Sequence, residues 1–263
     1  MMRRTFLMAG VSLSAVAVGK SLAASVFLDY TQEQLDTAYD QSFWAPRMAE
    51  LEEGDGIASA VVRRAMPPRP EKYGPDARDL IDVFAPADAK AAPVLVFIHG
   101  GAWTRNTRED ASYPAPTFVS RGAAYAAPDF GSVKTLTLPQ MVENCRRAVE
   151  WTMKNAASFG GDPNRVYVAG HSSGAHLAAC VLITDWTERS LPADALKGGL
   201  LMSGMYDLYP VMLSSRSSYL HLTEGGRGGI QPDAPSRPDH LPDCRRVSRP
   251  GQSGVQAPVR GVR

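Results

Sequence analysis

Val166-Tyr167-Val168-Ala169-Gly170-His171-Ser172-Ser173-Gly174-Ala175-His176 is the stretch that decides how this chain is read. Its first four residues are apolar and rich in β-branched and aromatic types, which predicts a strand buried on both faces. Gly174 to Ile183 then predicts a helix. Between them lies G-x-S-x-G. Alone the pattern is weak, because it arises by chance. Placed between a buried strand and a helix it predicts a sharp, strained turn that lifts the Ser172 hydroxyl above the sheet. Gly170 and Gly174 supply the room for close backbone approach. A plain Gly-Ser turn is the alternative.

A second motif sits upstream. Val94-Leu-Val-Phe-Ile98 is a continuous apolar run bounded by Pro93 and Gly100, again a strand buried on both faces. His99-Gly100-Gly101-Ala102-Trp103 follows it directly. A Gly-Gly loop in that place can turn backbone N–H groups towards a nucleophile and stabilise the oxyanion of a tetrahedral intermediate. Gly100 and Gly101 are the expected donors, with the Ser173 N–H beside them. Trp103 either walls an acyl or aryl pocket or packs in the core.

Around the two motifs strands and helices alternate. Asp79–Phe84 and Ala123–Ala127 predict strands, and Gly199–Met202 a short one. Leu138–Phe159 predicts a helix, with Leu138, Met141, Val142, Cys145, Ala148, Val149, Met153 and Ala156 on one face. Glu143–Arg147 and Glu150–Lys154 are expected i,i+4 pairs on the other. Gly160-Gly161-Asp162-Pro163 stops that helix. Thr31 with Gln34 predicts a capping box for a short helix reaching about Tyr39. The pattern implies α/β architecture, a mainly parallel sheet with helices on both faces.

Composition narrows the class. The chain has 263 residues, room for one or two domains. It is 44% hydrophobic and 21% charged, as soluble globular proteins are. Lys plus Arg is 28 against 27 Asp plus Glu, a net charge of +1. That balance points neither to nucleic acid nor to an anionic membrane surface. Cys145, Cys180 and Cys244 lie far apart without a CxxC pair, which excludes a zinc ribbon or a disulfide scaffold.

The three stretches HGGAW, FGGDPNRVYVAGHSSGAHLAA and SGMYDL together resemble the α/β-hydrolase superfamily. Within it they are most similar to the arylformamidase-like branch, named for kynurenine formamidase. Leu28-Asp-Tyr-Thr-Gln-Glu-Gln-Leu-Asp-Thr-Ala-Tyr-Asp40 also looks like that branch, and the resemblance runs from about Val26 to Thr223. It implies hydrolysis of a small-molecule ester or aryl formamide, with Ser172 as nucleophile and no metal or organic cofactor. No partner beyond that substrate is expected, and the oligomeric state is left open.

Other residues have plainer readings. Asp129-Phe130-Gly131 is a turn; no kinase loop accompanies it. His176, four residues after Ser172, is expected to pack, and His171 to shape the turn. Asp207 follows a strand and could orient a histidine, but the resemblance makes that position structural. Cys145 and Cys180 are expected to be buried thiols.

A serine hydroxyl needs a base. In this fold the order is Ser, then Asp or Glu, then His, the last two after later strands. The resemblance stops before both, so the acid and base are not identified. Beyond Thr223 the only histidine is His240, which no buried strand delivers. The C-terminal strands and a covering helix are therefore expected to be missing.

The two ends stand apart. Arg3-Arg4-Thr-Phe-Leu, the apolar run Ala9–Gly19 and Ser21-Leu-Ala23 have the layout of a twin-arginine export signal over residues 1–23. The run is shorter than the roughly 20 residues a membrane span needs, so no stable anchor is expected. The implied location is periplasmic or secreted; an N-terminal helix of a cytoplasmic protein is the alternative. The catalytic domain is expected over 24–223. Residues 224–263 hold seven Gly, six Pro and seven Arg, with no Lys, Phe, Tyr or Trp. Such composition reads as disordered. It also fits GC-rich coding sequence read out of frame, which would make the chain a non-catalytic or truncated product.

Overall fold

The computed structural model describes residues 24–220. The expected export signal, the tail and His240 lie outside the described residues. The strands are β1 (Ser25–Phe27), β2 (Tyr30–Thr31), β3 (Arg69–Lys72), β4 (Leu80–Phe84), β5 (Ala92–Ile98), β6 (Ala124–Pro128), β7 (Gly161–His171) and β8 (Leu196–Met202). The helices are α1 (Gln32–Tyr39), α2 (Gln41–Trp44), α3 (Met48–Ala65), α4 (Ala115–Val119), α5 (Leu138–Asn155), α6 (Ser173–Leu182) and α7 (Tyr209–Leu213).

Six strands form one sheet in the order β3-β4-β6-β5-β7-β8. β6, β5, β7 and β8 run parallel, while β4 lies antiparallel to β6 and β3 to β4. Period-2 alternation divides the core into two layers. Val94, Val96, Ile98, Ala124, Ala126, Val166 and Val168 face a cluster completed by α5 and α6. Phe97, Tyr125, Ala127 and Ala169 face a second cluster with Ala115 and, partly buried, Val62 of α3, Met66 just after it and Phe118 of α4. Helices thus cover both faces, as the sequence predicts.

The sheet has two dissimilar edges. β3 reads Arg-Pro-Glu-Lys, short and charged, and its Pro70 can donate no ladder hydrogen bond. β8 lies at the opposite edge, with Leu200 exposed and Tyr167 of β7 beside it partly exposed.

Local signals explain most boundaries. Thr31 closes the capping box with Gln34, and Thr137 builds another with Gln140 at the start of α5. The α5 segment ends in a 3₁₀ turn, Ala156–Phe159, and Gly160 takes φ +76° to leave it. β7 is longer than expected, because Gly161 already pairs with Ala92 of β5.

One expected ion pair is corrected. Glu150–Lys154 forms at 2.6 Å, but Glu143 and Arg147 part company. Arg147 reaches instead to the buried Asp79 at 2.9 Å, which also accepts from Asn144 Nδ2 at 2.9 Å. Glu143 pairs with Arg189. A buried carboxylate at the head of β4 draws the arginine more strongly than a solvated glutamate does.

Candidate active site

The two motifs meet because strand order reverses between β5 and β7. The chain goes from β5 outward to β6, then crosses back to β7 on the other side of β5. In open α/β sheets the crevice at such a switch point, beyond the carboxyl ends of the strands, is where ligands bind. Ile98 is in register with Gly170, so His99–Trp103 and His171–Gly174 emerge side by side.

Ser172 lies between β7 and α6 with φ 55° and ψ −125°, a strained conformation for a residue with a side chain. Its N–H donates to Met202 O at 2.9 Å. The glycines make the turn possible. A Cβ on Gly170 would stand 2.3 Å from Gly174 O, and one on Gly174 2.2 Å from Ile98 O. Ser172 precedes the first turn of α6, whose leading N–H groups have no intrahelical acceptor.

The Gly100–Gly101 loop lies against this turn. A Cβ on Gly100 would be 3.3 Å from Ser172 Cβ. The Gly101 carbonyl accepts from Thr104 N and Arg105 N at 3.0 and 3.1 Å. The Gly101 N–H has no acceptor among the described residues. The Trp103 N–H donates to Ser173 Oγ at 3.2 Å. Gly101, Ala102 and Trp103 all adopt positive φ.

His99 is buried, with Nδ1 2.8 Å from Gly100 O. Its ring stacks on Phe130, centroids 4.2 Å apart and planes 13° apart. Nε2 faces Asp129 Oδ1 at 3.7 Å, beyond hydrogen-bond reach. Asp129 in turn lies 3.7 Å from Arg78 and from Arg108. Arg108 Nε lies 3.2 Å from the buried Asp82, an ion contact without hydrogen-bond alignment. Asp82 also binds Arg63 of α3. The Asp129-Phe130-Gly131 turn is thus a buried charge centre behind the glycine loop.

Trp103 is 2% exposed and packs edge-on to His176, centroids 5.6 Å apart. The packing alternative holds for both residues. His171 ends β7 and is exposed. Asp207 is exposed and caps the following turn, accepting from Tyr209 N at 2.9 Å. Cys145 and Cys180 are buried thiols; burial pushes Cys145 up and Cys180 up to about 12.

Ser172 opens on a cavity of about 340 Å³ lined by Phe97, His99, Gly100, Gly101, Tyr113 and His171 among others. A larger cavity, about 1010 Å³, adjoins it and shares Gln41, Met48, Glu52, Ala102 and Arg105. Met48 and Glu52 belong to α3, which the sequence reading did not foresee. The other missed group is the Asp129–Arg108–Asp82 chain. The one available signal was charge inside otherwise apolar strand segments. Among the described residues no group of His, Cys, Asp and Glu could hold a metal ion, and no helix is long and apolar enough to cross a membrane.

Residues 81–195 match the BD-FAE family model. Kynurenine formamidase of Danio rerio is 30% identical over 205 residues, covering 74% of this chain and 67% of that protein. The Salmo salar kynurenine formamidase is 28% identical over 207 residues, covering 74% and 68%. A crystal structure from Silicibacter sp., described as that of a "putative thioesterase", superposes with a TM-score of 0.61 at 23% identity, over 76% of this chain and 74% of that one. The fold these strands and helices build is the α/β-hydrolase fold. The chain belongs to the α/β-hydrolase superfamily as an arylformamidase-like member, a family of hydrolytic enzymes.

Proposed function

We propose that the site is that of a serine hydrolase acting on small carboxylic esters or aryl formamides. The observation that carries this is the strained Ser172 at the head of α6, set against the Gly100–Gly101 loop and open to a cavity. Ser172 Oγ attacks the carbonyl carbon and the π pair moves onto oxygen, held by the N–H groups of Gly101 and Ser173. Collapse breaks the C–O or C–N bond, and the leaving group departs carrying the proton that the Ser172 hydroxyl gave up on attack. Water then attacks the acyl-serine, releasing the acid and restoring Ser172. The formamidase names of the relatives support this substrate class. Treating the protein with a fluorophosphonate and mapping the adduct by mass spectrometry tests it. Label on Ser172, absent in Ser172→Ala, is expected; label on another serine that survives the substitution refutes the assignment.

A second reading, a non-catalytic or truncated product, draws on the three histidines among the described residues. His99 is held on the Gly100 carbonyl, His176 is buried against Trp103, and His171 is an exposed strand end. None of these placements is that of a base for Ser172. The chain as written is therefore proposed to turn over p-nitrophenyl acetate or N-formylkynurenine poorly, and a version with the reading frame restored after about Thr223 to regain activity. Turnover at ordinary enzyme rates, about 1–10³ per second, would refute this. Export is proposed through Arg3-Arg4, with cleavage near Ala23. Replacing both arginines with lysine should then hold the protein in the cytoplasm, and periplasmic recovery of that variant would refute the route.

A further inference from the structure

We propose that Asp55 and Tyr113 make the Ser172 cavity selective for esters or amides that carry a positive charge, an ammonium group a few bonds from the carbonyl. The inference rests on the hydrolase reading, because it assigns the cavity to the substrate. Asp55 supplies the charge and Tyr113 the ring face.

The cavity is small, about 340 Å³, and its charged lining is one-sided. Glu52, Asp55 and Asp110 line it, and Arg105 is the one Lys or Arg among the described lining residues. Arg105 is already engaged, 2.9 Å from Glu52. Asp110 accepts from the Thr107 N–H at 2.9 Å and from its hydroxyl at 3.0 Å. These are neutral donors, which leave the carboxylate its charge. No hydrogen bond or ion pair among the described residues engages Asp55. Leu51, Phe97 and Ala111 supply apolar wall. A cleft with one sign of charge and walls of low dielectric focuses its field on whatever enters.

Ser59 brings Asp55 and Tyr113 together. It follows Asp55 by four residues in α3, one turn on along the same face. Its buried hydroxyl donates to Asp110 O at 2.7 Å and accepts from the Tyr113 N–H at 3.0 Å. Residues 110–113 are thus pinned to α3 beside Asp55. The Tyr113 hydroxyl registers the neighbour: burial first, and the Asp55 charge second, raise it above its ordinary value. Tyr113 lines the cavity and stays 39% exposed, so part of it is open to a ligand. A cation over an aromatic face is drawn by the ring quadrupole. The carboxylate beside the ring adds a full charge. A neutral substrate gains from neither, and an anionic one is repelled.

The test uses 2-(trimethylammonio)ethyl acetate and its uncharged carbon isostere, 3,3-dimethylbutyl acetate. Each is added to the full chain to protect Ser172 from a fluorophosphonate. The two esters share a shape and differ in charge. Half-protection should need at least about 5-fold less of the cation. Asp55→Asn keeps the size of the side chain without its charge, and should bring the two esters within about 2-fold. Tyr113→Leu should narrow the gap at least about 2-fold, whereas Tyr113→Phe, which keeps the ring, should retain it. Asp194→Asn removes a carboxylate that lies before β8, at the end of that strand away from Ser172. It should leave the gap as it is. Equal protection by the two esters in the unaltered chain, or a gap that survives Asp55→Asn or Tyr113→Leu, would overturn the proposal while leaving Ser172 as the nucleophile. A gap lost equally in Asp194→Asn would trace it to net charge and overturn the proposal too. Label that persists in Ser172→Ala overturns the hydrolase reading itself.

Discussion

The backbone N–H of Trp103 donates to the Ser173 hydroxyl across 3.2 Å, in a position where both residues are buried. One hydrogen bond thus fastens the glycine loop after β5 to the first turn of α6. Ser173→Ala should leave that N–H without its acceptor, at a cost of about 1–3 kcal/mol. Urea unfolding of the variant against the unaltered chain measures it, and an unchanged midpoint would show that the loop finds another partner.

The glycines of the turn and those of α3 should respond in opposite ways. Gly170→Ala and Gly174→Ala each place a Cβ within 2.3 Å of backbone, so soluble yield should collapse. Gly54→Ala, in α3 with nothing within 4 Å of the new methyl, should stabilise by about 0.5–1 kcal/mol. Thermal unfolding of the three variants side by side checks the contrast.

Asp82 is fully buried and serves two arginines, Arg63 and Arg108. Asp82→Ala takes from Arg63 and Arg108 the buried carboxylate they share, leaving Arg63 with Ser112 and Arg108 with Glu109 and Asp129, and should destabilise by about 3 kcal/mol. Asp82→Ala with Arg108→Met should lose less than the single change plus Arg108→Met alone, since the Asp82–Arg108 contact is lost only once. A double-mutant cycle by denaturant unfolding gives the coupling, and strict additivity would contradict the contact.

Burial holds the Cys180 thiol up to about 12, above its ordinary value of 9.0. The unfolded chain ionises first, so this contribution to stability is complete below about pH 9 and is lost as pH rises towards 12. The melting temperature should fall across that window, and Cys180→Ala should flatten the fall. At pH 8 a disulfide reagent should leave Cys145 and Cys180 untouched until denaturant is added.

What could be read beforehand were features with a local cause. β5 and the Val166–Ala169 part of β7 are continuous apolar runs, and the Thr31–Gln34 box needs only neighbours in sequence. α3 escaped because Gly54-Asp55-Gly56 breaks its apolar stripe. Leu51, Ile57 and Val61 face outward, and Ser59 is its one buried residue. β3 escaped because a four-residue edge strand of Arg-Pro-Glu-Lys has no apolar alternation to find. At the site, the Ser172 turn and the glycine loop were legible because each is one contiguous motif. The charge chain behind His99 was not, since Arg63, Asp82, Arg108 and Asp129 meet only after β4, β6 and α3 are packed. Nothing periodic marks a carboxylate that folding will bury.

The unlike edges of the sheet give the molecule a valence. β3, with its proline and charges, offers no template to another strand. Among the described residues β8 has no neighbour on its outer side, and its own Leu200 is exposed. A sheet open at both ends can add copies without limit and grow into a fibre. Among the described residues this sheet is open at one end and so monovalent: two copies meeting β8 to β8 use up that edge and the growth stops. Self-association through this edge is therefore expected to terminate at pairs.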